Sequence, residues 1–290
     1  MPGLKDVKNK IEGVSKTSQI TKAMNMVASA KLRGAQERME SFRPYAEKFV
    51  EAMQEVSGAM SGSSQPLMEA RDVRTVEIIV ITSDRGLCGS FNANIVARAQ
   101  KLMDQYEAEG KKVTLVTVGN KAAQAFKRSG KIRKSYKDIM GSFQMFNARA
   151  ISQNVSRNFL QEEADKVHLV YARFLSMAKQ QPTEQTLLPI APPEQEETEK
   201  KGVPVEYIYE PDPVQIMENL LPLHLNVQVY RAMIEVGAGE QAARMAAMDN
   251  ATNACGDIIK ELTQLYNKAR QAAITGDLMD IVGGAEALKG

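Results

Sequence analysis

The chain has 290 residues, 43% of them hydrophobic, yet only 6% are aromatic and Trp is absent, so its apolar surface must be aliphatic, Ala-rich and Met-rich. Lys and Arg number 37 against 35 Asp and Glu, a formal +2 that argues against nucleic acid as the main partner. Its two cysteines, Cys88 and Cys255, are unlike any zinc or redox pair and fit a reduced intracellular protein. No stretch approaches the roughly 20 apolar residues that cross a bilayer. The basic, amphipathic N-terminus is interrupted by Asp6 and Glu12 and has no Arg before Arg33, which argues against a mitochondrial presequence. A cytosolic or peripherally attached protein is expected.

Apolar or small residues recur at three-four spacing from the start: Leu4, Val7, Ile11, Val14, then Ile20, Met24 and Val27. The pattern is strict over Ala35, Met39, Phe42, Ala46, Phe49, Met53, Val56 and Met60, a coiled-coil seam rather than a broad globular stripe. Gly62–Pro66 ends it. Thr75–Thr82, Val113–Val118 and Val167–Phe174 then read as buried parallel strands. Helical segments near 92–109, 120–129 and 147–163 alternate with them, the βαβ signature of an open sheet. Glu184–Ile190 and Val203–Tyr209 are expected as two further strands, joined by a charged, solvated loop over 191–202.

The last third returns to helix. Ile216, Leu220, Leu223, Val227, Tyr230 and Ile234 form one run. Met245, Met248, Thr252, Cys255, Ile259, Leu262, Tyr266, Ala269 and Ala273 form a second, with a stutter at Gly237, Gln241 and Met245 between them. A helix over 213–285 is on the order of 110 Å long and must project from any domain of this size. Pro44 and Pro222 should kink their helices, or Pro222 opens the main C-terminal helix. The fold class is therefore α/β plus a long antiparallel coiled coil. A Rossmann-like open sheet domain (70–210) lies between an N-terminal helix (1–62) and a C-terminal helix (211–290). Short connections put residue 58 near residue 215, so paired positions add to about 273. The C-terminal helix then overhangs by roughly ten to fifteen residues. The polar zone Ser18, Thr21 and Asn25 falls opposite Ala246, Asn250 and Asn253. Two poor seams meeting at mid-shaft need outside support or freedom to twist.

The loop from Ser83 to Asn92 follows a strand and precedes a helix, a context that invites nucleotide. Its G-x-x-G spacing has neither G-x-G-x-x-G nor the Gly-Lys-Ser/Thr of a P-loop, and a tight turn with Asn92 as N-cap accounts for it. Cys88 lacks a general base in suitable order. His168 and His224 have no second ligand at metal spacing, so no cofactor or metal is expected. No Ser-His-Asp order or carboxylate pair stands out. Charge is more informative. Gly13 to Gln36 contains no acid but holds Lys16, Lys22, Lys31 and Arg33. A solvated basic face explains this in isolation. Its coincidence with the thin part of the rod points to an acidic partner touching Lys22, Met24 and Arg33. Lys268 to Gln271 adds a polar cluster near the tip, where Gly276, Gly283 and Gly284 each weaken a helix by about 1 kcal/mol relative to Ala.

Three segments resemble the gamma subunit family of the F-type ATP synthase. They are Gln19–Met24 with Met26–Ala28 and Lys31–Arg33, then Ile81–Gly89, then Tyr266–Thr275 running on through Asp280 and Gly284-Ala285. Asp277 stands where that family usually has Glu, and Ser90 where a second Gly is usual. The resemblance implies a rotor shaft inside a ring of three alpha and three beta subunits. Its α/β domain and the epsilon subunit would meet the c-ring. Proton flow turns ring and shaft, and the shaft itself binds no ATP. It further implies that Lys22, Met24 and Arg33 face an acidic helix-turn-helix of the beta subunits. Arg270, Gln271, Thr275 and Asp277 would be held near the top of the beta ring, and the apolar end beyond Leu278 in a hydrophobic sleeve.

The plastid insert with its cysteine pair is missing, so a thiol switch is not expected. A bacterial protein, peripheral on the cytoplasmic face of the cell membrane and not a homo-oligomer, is the assignment. Two rivals remain: a dehydrogenase-like enzyme on residues 75–190, and a self-pairing coiled-coil adaptor.

Overall fold

The structure is a computed structural model that describes residues 4–59, 65–191 and 210–287. The chain forms two compact units, one from residues 1–29 with 244–290 and the other from residues 30–243. Helix α1 spans Leu4–Ala59 and helix α5 spans Pro213–Ala287. Pro44 and Pro222 both lie inside these helices, so the C-terminal helix opens at Pro213 and not at Pro222. Proline suits that first position, where its missing N–H has no intrahelical acceptor.

In the first unit α1 turns an unbroken three-four repeat inward: Leu4, Val7, Ile11, Val14, Ser18, Thr21, Asn25 and Ala28 are buried or half-buried. Ile20 and Val27, expected in this seam, are 60% and 56% exposed. The heptad frame passes through the polar residues beside them, so the apolar ones face out. On α5 the repeat runs Met248, Thr252, Cys255, Ile259, Leu262, Tyr266 and Ala269, while Ala246, Asn250 and Asn253 face solvent. Thr21 and Thr252 hydroxyls meet at 2.7 Å, and the Asn25 amide donates to the Met245 carbonyl at 3.0 Å. The helices are antiparallel, in the register expected from connection length. Every described residue from Arg270 to Glu286 is exposed.

The second unit holds a five-stranded sheet: β1 Thr75–Ile81, β2 Lys112–Val118, β3 Ile132–Tyr136, β4 Lys166–Phe174 and β5 Gln180–Leu188. Their order is β3-β2-β1-β4-β5. The first four are parallel and β5 is antiparallel to β4. β3 was not expected, because IRKSY is an exposed edge with little apolar signal. β5 begins earlier than expected and is mostly polar for the same reason, while Val203–Tyr209 lies outside the described residues.

Helices α2 Phe91–Ala108, α3 Asn120–Ala125 and α4 Met145–Leu160 fill the crossovers. Tyr106 of α2 meets His168 of β4 at 2.7 Å. Glu77 of β1 is fully buried, held by Arg133 of β3 at 2.5 and 3.0 Å and by Asn158 of α4. His168 is level with Ile78, the neighbour of Glu77, and successive side chains alternate faces. Thus α2 and α4 cover opposite faces of the sheet.

Within this unit α5 is buried nearly all round between Leu225 and Ala242, because both α1 and the α/β elements pack on it. Leu223, assigned from sequence to the seam, is 44% exposed, and Met217, Leu221 and Leu225 are buried instead. Phe42 meets Tyr230 edge-on at 5.0 Å and Phe49 stacks on His224 at 6.2 Å, again antiparallel. Gly239 allows Phe91 and Gln180 to rest on the helix, since a Cβ there would lie 2.8 Å from the Phe91 ring. Ser152 of α4 bonds Asn226, and the Phe174 amide donates to Glu235 at 3.0 Å.

Burial holds both histidines neutral, lowering each from an ordinary 6.5 to about 4; Lys166 adds to the effect at His168. The unfolded chain takes up these protons first. Their stabilisation is therefore whole above about pH 6.5 and lost as pH falls toward 4, on the order of 2 kcal/mol per ring. Thermal melts across this range should show the decline, and His224→Phe, which keeps the stack on Phe49, should flatten it. An unchanged slope in the variant would count against the assignment to His224.

Candidate functional site

The crevice at the carboxyl ends of β1 and β4 is where the sheet order switches direction, the usual ligand position in open α/β sheets. Here α5 lies across it: Phe91, after the β1 loop, rests at Gly239, and the Phe174 amide at the end of β4 donates to Glu235. Beside it, the loop after β1 reaches over the ends of β2 and β3. Asp84 accepts N–H bonds from Asn120 at 3.0 Å, Asp138 at 3.1 Å and Met140 at 2.8 Å. The first of these opens α3, so Asp84 ties the β1 loop to the segments that follow β2 and β3. Gly119 has φ +91, and a Cβ there would lie 2.3 Å from the Thr82 carbonyl oxygen, so the two strand ends close on each other.

The rest of the loop is tied to itself. The Asn92 side chain accepts from the Ser83 N–H at 3.0 Å and donates to Cys88 Sγ at 3.1 Å. Asn92 is thus the second residue of α2 and not its N-cap; Ser90 precedes the helix. Cys88 is 2% exposed and Phe91 packs on α5. Loop and crevice read as a rivet. Sequence gave no hint of the Asp84 cluster, because its three donors lie 36 to 56 positions away.

The other candidates sit on the helices of the first unit and at the start of α1 in the second. Lys22 is exposed and Met24 half-buried beside the polar seam. Arg33 is in the second unit, its side chain 85% exposed and 3.3 Å from Glu37 one turn on. A surface pair of this kind contributes at most about 1 kcal/mol. The structure brings Lys22 and Met24 to one stretch of α1, and Arg270, Gln271, Thr275 and Asp277 to another on α5, all four exposed. Ile274, Leu278, Met279, Ile281 and Val282 are also 49–70% exposed. Such an apolar, water-facing helix end marks an interaction surface. Sequence reading placed Ile20 and Val27 in the seam and so missed that they join Met26 as exposed apolar residues around Lys22.

An α/β domain whose ligand crevice is closed, inserted in sequence between two long helices that pair antiparallel and expose their outer faces, defines a helix-presenting subunit. The family described as ATP synthase matches residues 3–288. The ATP synthase gamma chain of Desulfotalea psychrophila is 59% identical over 290 residues, and that of Nitratidesulfovibrio vulgaris is 53% identical over 292, each covering all of both chains. The chain belongs to the ATP synthase gamma chain family. It is similar to a chain in the central stalk and c-ring structure of Tetrahymena thermophila mitochondrial ATP synthase, at 29% identity and TM-score 0.59, covering 80% of this chain and 99% of that one. A chain of the Euglena gracilis mitochondrial ATP synthase rotor shares the fold at 22% identity and TM-score 0.65, covering 93% and 98%.

Asp84→Ala removes one acceptor from three backbone donors and should cost about 2–3 kcal/mol in denaturant unfolding, with Asp84→Asn costing less. Equal loss from both variants would mean that the carboxylate charge, rather than an acceptor in that place, holds the loop.

Proposed function

We propose that the chain is the central rotor shaft of an F-type ATP synthase, a non-catalytic subunit carrying torque between a membrane c-ring and a catalytic ring of three alpha and three beta subunits. The observation that carries this reading is the unbroken run of exposed α5 residues from Arg270 to Glu286, rich in apolar side chains, in a chain of the gamma family. A helix end of that kind needs a surrounding collar. The division of labour follows the chain, with helices at 1–62 and 211–290 as the shaft and 70–210 as its foot on the c-ring, beside an epsilon subunit.

Lys22, Met24 and Arg33 are the residues assigned to the acidic face of the beta subunits, and Arg270, Gln271, Thr275 and Asp277 to the upper part of the ring. Long cations on an exposed helix act here as sliding electrostatic contacts, which suits a surface that must engage three partners in turn. Among the described residues no helix is long and apolar enough to cross a membrane, which fits peripheral attachment through the complex, on the cytoplasmic side of the cell membrane.

Affinity purification of the tagged chain is expected to bring down several larger ATP-binding chains; recovery of a homodimer alone would favour the adaptor reading. Lys22→Glu together with Arg33→Glu should lower ATP-driven proton pumping severalfold while changing thermal stability by no more than about 0.5 kcal/mol, as exposed sites do. Unchanged pumping would remove these residues from the coupling surface.

A further inference from the structure

From Gly110 to Lys137 the chain has no acidic residue and nine cations, leaving 28 cations against 35 acids elsewhere. This segment is β2, α3, the 3-10 turn Lys127–Ser129 and β3, which together form one edge of the sheet. Acids from outside the segment pair with three of the nine: Glu109 with Lys111, Glu107 with Lys131, and Glu77 with Arg133. Lys112, Lys127, Arg128, Lys134 and Lys137 are exposed, and no acid faces them within ion-pair distance among the described residues. Two open clefts of about 610 and 480 Å³ lie on this edge, the first against Lys127 and Arg128, the second between the starts of β2 and β3.

Protection of an edge strand against pairing with another sheet explains charge at Arg133 and Lys134. It does not explain Lys112, Lys127, Arg128 and Lys137, which lie off that strand, nor the exclusion of one sign of charge.

We propose that this edge is a docking surface for an anionic lipid bilayer. Seven of the nine cations are Lys, the residue depleted in protein–protein interfaces and suited as a hydrated point charge to mobile headgroups. No large hydrophobic residue of the segment is among the exposed ones, so the surface lacks the buried anchor on which a protein interface depends. The first cleft opens beside Lys127 and Arg128, unpaired among the described residues, and has room for a phosphate headgroup without insertion of the chain. In the second, Lys112 stands beside Lys111, Lys131 and Arg133, which Glu109, Glu107 and Glu77 already pair. Attraction of this kind grows with each basic residue at the surface and fades within a Debye length. The choice of a membrane over other polyanions rests on the rotor reading above, which puts the foot of the chain near one.

Flotation of the purified full chain with phosphatidylglycerol–phosphatidylcholine vesicles tests it. Binding is expected to these and not to pure phosphatidylcholine, and to disappear in high salt. The variant Lys127→Gln, Arg128→Gln, Lys134→Gln, Lys137→Gln should bind lower by about two to three orders of magnitude. Lys8→Gln with Lys10→Gln, exposed on α1 and outside the edge, should bind as the parent does. Equal binding to both vesicle types, binding retained by the fourfold variant, or preferential capture of double-stranded DNA over the anionic vesicles would each overturn the proposal. Copurification with ATP-binding chains but no vesicle binding would remove this inference alone. Vesicle binding without copurification would remove the rotor reading alone.

Discussion

The structure depends on one constraint: α1 carries an inward-facing repeat from Leu4 to Val56 that it cannot bury by itself. Five residues of every seven could be anything soluble, but the other two require a facing helix in a fixed phase. α5 supplies it, and so the two ends of the chain must meet. Where the repeat is apolar, as at Phe49, Met53 and Val56, burial alone holds the helices. Where it is polar, at Thr21 and Asn25, the contact is a hydroxyl pair and an amide-to-carbonyl bond. Hydrogen bonds contribute less net stabilisation than apolar layers and more specificity, because a shifted partner leaves them unmade.

α5 answers a second demand within the 30–243 unit. There it meets α1 on one side and α4, the β1 loop and the start of β5 on others. Polar groups tie it at each: Asn226 to Ser152, Glu235 to the end of β4. Gly239 brings Phe91 within contact, so the closed loop after β1 rests on the helix instead of on a ligand. The same Gly-containing turn that suggested nucleotide thus has a mechanical purpose. Asp84 completes it by engaging donors over the ends of β2 and β3.

Much of this was legible from residues alone, and the failures have physical causes. The strict apolar run from Ala35 to Val56 gave the seam and its direction, because every third or fourth residue is apolar or small. Between Ser18 and Ala28 the frame persists but the apolar residues leave it, so reading hydrophobicity put Ile20 and Val27 inside when phase puts Thr21 and Asn25 there. Leu223 was misplaced because a helix packed on several sides has no single stripe. Parallel central strands announced themselves as Val/Ile runs, whereas β3 and most of β5, at the sheet's edges, carry polar sequences indistinguishable from loop. The Asp84 cluster was invisible, since a carboxylate's backbone partners leave no trace in composition. The long acid-free basic edge was readable but was overshadowed by the one on α1.

Helices that complete each other from opposite ends of a chain also impose an order on biosynthesis. Thr21 and Thr252 are 231 positions apart, so at ordinary rates of translation the first helix waits roughly ten to fifty seconds for its partner to leave the ribosome. Throughout that interval its greasy stripe is open to water and to neighbouring nascent chains. The strands of the sheet domain, made entirely in between, can pair meanwhile. A holdase acting on the emerging N-terminus would cover that interval, a need set by connectivity and not by the stability of the finished fold.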